Sequence, residues 1–223
     1  MQALRPDRGP CDGRAPTLLV MLPGAYSRPA EFVDEGFVDA VRQRGLAVDI
    51  TIADAHRGYF MARSVLERLH EDIVLPARRE GYRRIWLLGI SLGGFGALAY
   101  GARHGDTIDG IVALAPYLGT RELLQDIEGA GGPAAWLALQ PPGDNGNVER
   151  DTWRWLAALA TEKLPVYLGC GREDRLRDAS RLLARALPDR RYDEVAGDHD
   201  WPAWRTLWSN WLDRRLLTAG CGA

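Results

Sequence analysis

Residues 85–100 read IWLLGISLGGFGALAY, an apolar run of strand character that passes through Gly89-Ile90-Ser91-Leu92-Gly93 into a small-residue run of helical character. A serine at such a junction is ordinarily a turn former or a helix cap. The pattern G-x-S-x-G gives it a second reading, a sharp strand-to-helix turn that strains the serine and exposes its hydroxyl. The glycines have a steric part in that turn. Side chains at 89 and 93 would crowd the approach of helix to strand, and Gly94 and Gly96 extend the same close contact. Five residues of common types are a weak signal alone; their position after a buried strand and before a helix makes the signal strong.

Outward from this stretch the chain alternates. Apolar runs at 17–22, 46–53, 84–90, 110–115, 165–170 and 191–195 read as strands buried on both faces. Helical patterns at 30–44, 64–80, 92–103, 152–161, 176–186 and 201–217 separate most of them. Gly45, Gly81 and Gly105 follow helices as C-terminal caps. The alternation predicts an α/β fold, a single domain with a mainly parallel sheet of about six strands and helices on both faces. Its expected extent is 17–217, behind a loose leader at 1–16. Residues 118–150 are too rich in Gly and Pro to extend neighbouring elements, and they follow a strand's carboxyl end. Such a stretch reads as either a partial lid or a surface excursion.

Size and charge narrow the function classes. A chain of 223 residues with 46% hydrophobic content builds one full-sized core. The 28 basic and 30 acidic residues nearly cancel, to a formal charge of -2, and no basic block stands out. Nucleic acid and membrane are therefore not expected partners. The polar start MQALRPDRGPCDGRAP has no apolar signal-peptide region, so a soluble, cytoplasmic protein is expected. The three cysteines lie in unlike places, Cys11 in the leader, Cys170 at a strand end and Cys221 in the tail, and all read as structural, Cys170 as a buried small hydrophobe.

If Ser91 is a nucleophile, it needs a base and an acid to orient that base. Of the four histidines, His70 lies in a helical pattern and His104 at a helix end, where both read as structural. His199 lies in GDHDWPAW, a polar turn between the last strand and the last helix, and is the expected base. The acid is expected at another strand end, and PVYLGCGREDRL supplies Asp174, with Glu173 and Asp178 in reserve. Asp198 and Asp200, beside His199, read instead as turn and cap residues. Oxyanion donors are expected from the amide of Leu92 and, in VMLPGAYSRPAEF, from Ala25 after the flexible Gly24, with Tyr26 the neighbouring choice. His56, Tyr117 and Trp201 fall near the same sheet edge as candidate substrate contacts. His56 has no metal-ligand spacing around it. Trp201, Trp204, Trp208 and Trp211 form a helical stripe that reads as packing against the sheet.

Over roughly residues 17–217 the sequence resembles the α/β-hydrolase superfamily. GISLGGFGALAY resembles the elbow of its esterase D and enterochelin esterase-like group, and GDHDWPAW resembles that group's histidine turn, usually GGHDW followed by another aromatic. The order Ser91, Asp174, His199 agrees with that superfamily. The resemblance implies serine-dependent hydrolysis of a carboxylic ester or thioester through an acyl-enzyme, without metal or organic cofactor; the leading expectation is an esterase acting on a short or medium acyl ester. It also implies a trimmed sheet beginning at the superfamily's third strand. Thioesterases and acyltransferases share such a triad, and a non-catalytic binder keeps the fold, so these stand as alternatives. Pro23 and Asp198 depart from the group's pattern, which leaves the acyl pocket's shape open.

Overall fold

Runs apolar on both faces pair with one another, because only the middle of a helix-covered sheet buries them completely. In the computed structural model, which describes residues 1–5, 9–141, 146–161, 163–217 and 220–221, β2 (Thr17–Leu22), β3 (Val48–Ala53), β4 (Arg84–Ile90), β5 (Gly110–Leu114), β6 (Val166–Gly171) and β7 (Tyr192–Val195) lie parallel. A seventh strand, β1 (Ala3–Leu4), adds antiparallel to β3, and the sheet order is β1-β3-β2-β4-β5-β6-β7. The strand period of two divides the core. Leu18, Val20 and Leu22 face one layer with Leu69, Leu98 and Trp153, whereas Leu19 and Met21 face the other with Phe37, Trp208 and Trp211. Each such side chain contributes roughly 1.5–3 kcal/mol on burial.

The helical patterns form with three breaks. Gly36, at φ 75°, divides the first into α1 (Glu31–Asp34) and α2 (Phe37–Gln43). The second is preceded by a short α3 (Arg57–Met61) and runs as α4 (Val65–Leu69), a π-helical turn at His70–Val74, and α5 (Leu75–Glu80). Pro76, just past that turn, has no N–H for the carbonyl four residues back, a local cause for the wider winding. The third element, α6 (Leu92–His104), leads into a 3-10 turn at Gly105–Thr107, so Gly105 keeps φ -59° and is not the left-handed cap its position suggested. Gly45 and Gly81 do take φ 59° and 93°.

Residues 118–150 are more ordered than their composition implies. Thr120 caps α7 (Arg121–Gly129), Pro133 opens α8 (Pro133–Ala138), and Asn147 caps α9 (Val148–Ala157). Gly131 and Gly132, both at positive φ, lie between α7 and α8, while Ile127 and Trp136 are buried. Residues 142–145 of this stretch, read as a partial lid or a surface excursion, lie outside the described residues. Two further helices, α10 (Arg177–Ala184) and α11 (Trp201–Asp213), complete the chain order.

The leader is tied down, contrary to the loose segment expected, although its residues 6–8 lie outside the described ones. Its Gly9 and Ala15 amides donate to the two carboxylate oxygens of buried Asp49 at 2.8 and 3.0 Å, and the Tyr82 hydroxyl donates to the same carboxylate at 2.9 Å. Cys11 and Cys221 form a disulfide across a sequence separation of 210. The sequence reading of three structural cysteines in unlike places does not single out this pair, because sequence distance says nothing about which termini the sheet brings together. Cys170 is free and buried, and burial, followed by the nearby Asp174 charge, pushes its thiol up to about 12. Among the described residues no helix is long and apolar enough to cross a membrane.

Candidate active site

The elbow is fixed by backbone geometry before any catalytic contact is made. Ser91 lies between β4 and α6 at φ 54°, ψ -115°, a conformation that L-residues avoid and that costs energy. Its amide donates to the Leu114 carbonyl at 3.0 Å, and its carbonyl accepts from the Tyr117 and Phe95 amides at 3.0 and 3.1 Å. A Cβ on Gly89 would lie 2.2 Å from the Gly93 carbonyl oxygen, and one on Gly93 the same distance from that of Leu22. Only glycine permits this approach at either position.

Three side chains from three strand ends meet there. The His199 Nε2 lies 3.0 Å from the Ser91 Oγ, and its Nδ1 lies 2.7 Å from an Asp174 carboxylate oxygen. Because a carboxylate only accepts, the imidazole proton sits on Nδ1 and leaves Nε2 to accept from the serine hydroxyl. Asp174 is 5% exposed, and its other oxygen accepts from the Leu176 amide at 2.7 Å. The reserve acids lie elsewhere. Glu173 accepts from the Gly197 amide at 2.7 Å, and the exposed Asp178 meets Arg177. Asp198 accepts from the His199 amide at 2.7 Å, and Asp200 caps α11 through the Ala203 amide.

The loop after β2 runs beside the serine. A Cβ on Gly24 would lie 3.5 Å from the Ser91 Cβ, and the Ser27 amide closes a turn onto the Gly24 carbonyl at 3.2 Å, with Ala25 and Tyr26 at its tip. Leu92 opens α6, where the first amides of a helix have no partner within it. The Tyr26 side chain is 88% exposed.

The candidate substrate contacts have structural partners. His56 accepts from the Gly58 amide at 3.1 Å through its Nδ1 and so caps α3, with its ring against Tyr59. The Tyr117 hydroxyl donates to Glu149 at 2.7 Å; burial, then that carboxylate, pushes its phenol well above the ordinary tyrosine range. Trp201 packs edge-on against Phe32, Phe37 and Trp204. It is Trp204 that meets the His199 ring, edge to face at 5.1 Å, a contact that helical spacing alone did not single out from the stripe. His70 and His104 stack at 4.1 Å away from this constellation, and burial, followed by His70, lowers His104.

Beside Leu92 and Tyr117 opens a cleft of about 420 Å³, floored by α6 and walled by residues of α3, α4 and the start of α9. Among the described residues no group of three or more His, Cys, Asp or Glu side chains has the arrangement of a metal site.

Residues 60–211, which include Ser91, Asp174 and His199, match the family model Esterase. The chain belongs to the Esterase family. An acetyl esterase of Caldicellulosiruptor saccharolyticus is 27% identical to this family member over 178 residues, 70% of this chain and 64% of that protein. The chain thus spans less than two thirds of that curated relative's length. Est1E from Butyrivibrio proteoclasticus superposes with a TM-score of 0.67 at 15% identity, over 97% of this chain and 94% of its own. An S-formylglutathione hydrolase from Staphylococcus aureus does so with 0.60 at 17%, over 90% and 81%. At such identities these structures establish for this Esterase-family chain a shared α/β-hydrolase fold.

Proposed function

We propose that the protein is a serine hydrolase of carboxylic esters with short or medium acyl groups, working through an acyl-enzyme on Ser91. The observation that carries this reading is the unbroken hydrogen-bonded chain from Asp174 through His199 to Ser91, at 2.7 and 3.0 Å, ending on a serine in a strained turn. The Ser91 oxygen attacks the ester carbonyl as its proton passes to Nε2 of His199, and Asp174 stabilises the resulting imidazolium. The amides of Leu92 and Ala25, with Tyr26 the neighbouring alternative, receive the negative charge; one such donor is worth about 3–4 kcal/mol in the transition state. His199 returns its proton to the departing alcohol, then activates a water that releases the acid and restores Ser91. These steps draw only on side chains, backbone amides and water, with a small-molecule ester as the partner.

A thioester or an acyl acceptor other than water fits the same steps, since neither changes the groups that act on the carbonyl. The Cys11–Cys221 bond favours an oxidising compartment over the cytoplasm, where thiol systems keep cysteines reduced.

The test is turnover of p-nitrophenyl esters from acetate to decanoate by wild type, Ser91→Ala and Asp174→Asn, each checked for folding by circular dichroism. Wild-type activity falling by about 10³-fold or more in Ser91→Ala, with loss of fluorophosphonate labelling, supports the reading. Retained turnover in folded Ser91→Ala overturns it, and a wild type that neither turns over nor labels favours the binding protein.

A further inference from the structure

The cleft beside the elbow has an unequal distribution of charge. Most of its wall is apolar, from Phe60, Leu66, Leu92, Phe95 and Tyr117. Three charged residues line it among those described: Arg63, Arg103 and Glu149. Two of these are already engaged. Arg103 pairs with Glu67 at 2.9 Å, and Glu149 accepts the Tyr117 hydroxyl at 2.7 Å. No carboxylate of the described residues pairs with Arg63, and its exposed guanidinium hydrogen-bonds to none of them.

The backbone at Arg63 is unusual as well. It joins α3 to α4 at φ 52°, a left-handed conformation for which glycine or asparagine is the ordinary choice. The Arg63 amide closes onto the Phe60 carbonyl and the Ser64 amide onto that of Tyr59, both at 3.0 Å, so the backbone of the turn is fixed and with it the point from which the arginine side chain leaves. A strained, unpaired cation at the edge of an apolar cleft, one residue of whose lining is also the oxyanion donor Leu92, has no structural task in the described fold.

We infer that Arg63 is a specificity-determining residue that binds an anionic group on the substrate, so that the preferred ester has a carboxylate on one arm and an apolar segment between it and the scissile bond. A guanidinium offers a planar pair of donors that matches a carboxylate, and the apolar wall takes up the carbon chain. Glu149 puts a negative charge on the Tyr117 wall, which leaves the α3–α4 wall to the anion. This inference rests on the serine hydrolase reading and names the substrate class for the same site.

The experiment compares monoethyl with diethyl esters of succinate, glutarate and adipate, followed by titration of the released acid. The readout is the ratio of kcat/KM for the charged ester to that for the neutral one, in wild type, Arg63→Gln and Arg63→Glu. Arg63→Gly, which takes φ 52° without strain, is the second route to removing the charge. The wild-type ratio should exceed one, fall by about tenfold in Arg63→Gln and Arg63→Gly, and fall further in Arg63→Glu. It should also decline with added salt, as an ion pair at an exposed site does. A ratio below one in wild type, or one that no substitution moves, overturns the Arg63 site while leaving ester hydrolysis standing. Absence of turnover with every ester overturns the hydrolase reading itself.

Discussion

Glu173 receives the Gly197 amide on its carboxylate at 2.7 Å, and its own amide donates to the Gly197 carbonyl at 3.1 Å. Through this pair the loop that carries Asp174 is tied to the turn that carries His199. Neither loop has a regular ladder there, so the distance from Asp174 to His199 depends on this contact. Glu173→Gln, which weakens acceptance at Gly197, is expected to lower kcat about tenfold with little change in KM. Steady-state kinetics on a p-nitrophenyl ester measures both; a change confined to KM would show that the pair has no part in positioning the base.

The steric argument for the elbow separates two glycines that sequence patterns treat alike. On Gly93 an added Cβ meets backbone, the Leu22 carbonyl oxygen at 2.2 Å, whereas on Gly96 it meets the Phe60 ring at 3.0 Å. A carbonyl in the central strand has nowhere to go, but a partly buried ring can turn. Gly93→Ala should therefore cost about 3 kcal/mol or more, and Gly96→Ala about 1 kcal/mol or less. Urea denaturation of both variants decides this, and equal midpoints would contradict it.

Much of this architecture was legible because its causes are local. Strands buried on both faces announce themselves as apolar runs, and β2 and β4 begin and end where the runs do. The elbow combines a steric demand for glycine with a strand-to-helix change of period, so Ser91 stood out, and His199 and Asp174 followed from their places at strand ends. The hidden features depend on distant partners. Asp49 binds leader amides far from it in sequence, while β1 is two residues long and has no pattern to detect. The helices of 118–150 were masked by glycines that separate them. Arg63 gives no signal in one dimension, since what distinguishes it is a backbone angle and the absence of a partner.

The Cys11–Cys221 bond closes almost the whole chain into one loop, the condition under which a cross-link most restricts the unfolded ensemble. Reduction is expected to lower stability by about 2–4 kcal/mol, with Cys11→Ser and Cys221→Ser reproducing the loss and showing no further response to reductant. Thermal unfolding with and without dithiothreitol measures this. The buried Cys170, its thiol pushed up to about 12, should stay unmodified by iodoacetamide in the folded protein at pH 8. Alkylation at Cys170 before unfolding would contradict that assignment.

At the sheet edge, Glu194 of β7 accepts from two Arg181 nitrogens, Nε at 2.6 Å and Nη2 at 2.8 Å, and from the Tyr192 hydroxyl. The Arg181 hydrogen bonds, opposed by desolvation, draw its carboxyl down to about 2 from 4.5. A lowered folded-state value stabilises the charged form. The contribution is thus complete above about pH 4.5 and disappears as pH falls through 2. Because Arg181 is half-exposed, solvent screening limits it to about 1 kcal/mol. Glu194→Gln should destabilise by that amount at pH 7 and by progressively less below pH 4, as measured by urea midpoints across the range. A pH-independent difference would show that the loss comes from packing and not from the ion pair.

Trp204 is 6% exposed and stands at 89° to the His199 ring, 5.1 Å between centres. Its indole N–H is buried with no hydrogen-bond partner among the described residues, so the side chain is kept there by its ring and not by its donor. Of the described aromatic rings it is the one in contact with the imidazole, and it limits rotation that would break either of the 2.7 and 3.0 Å contacts. Trp204→Phe preserves an aromatic edge and removes an unsatisfied donor, so kcat should stay within a few-fold of wild type. Trp204→Ala leaves a cavity that costs about 3–5 kcal/mol and frees the imidazole, with kcat lower by about 100-fold in the fraction that remains folded. Kinetics normalised to folded protein by circular dichroism separates the two effects. If Trp204→Ala lost stability and yet kept the wild-type kcat, the ring would be a core residue only, and the hydrogen bonds of Asp174 would suffice to hold His199 in line with Ser91.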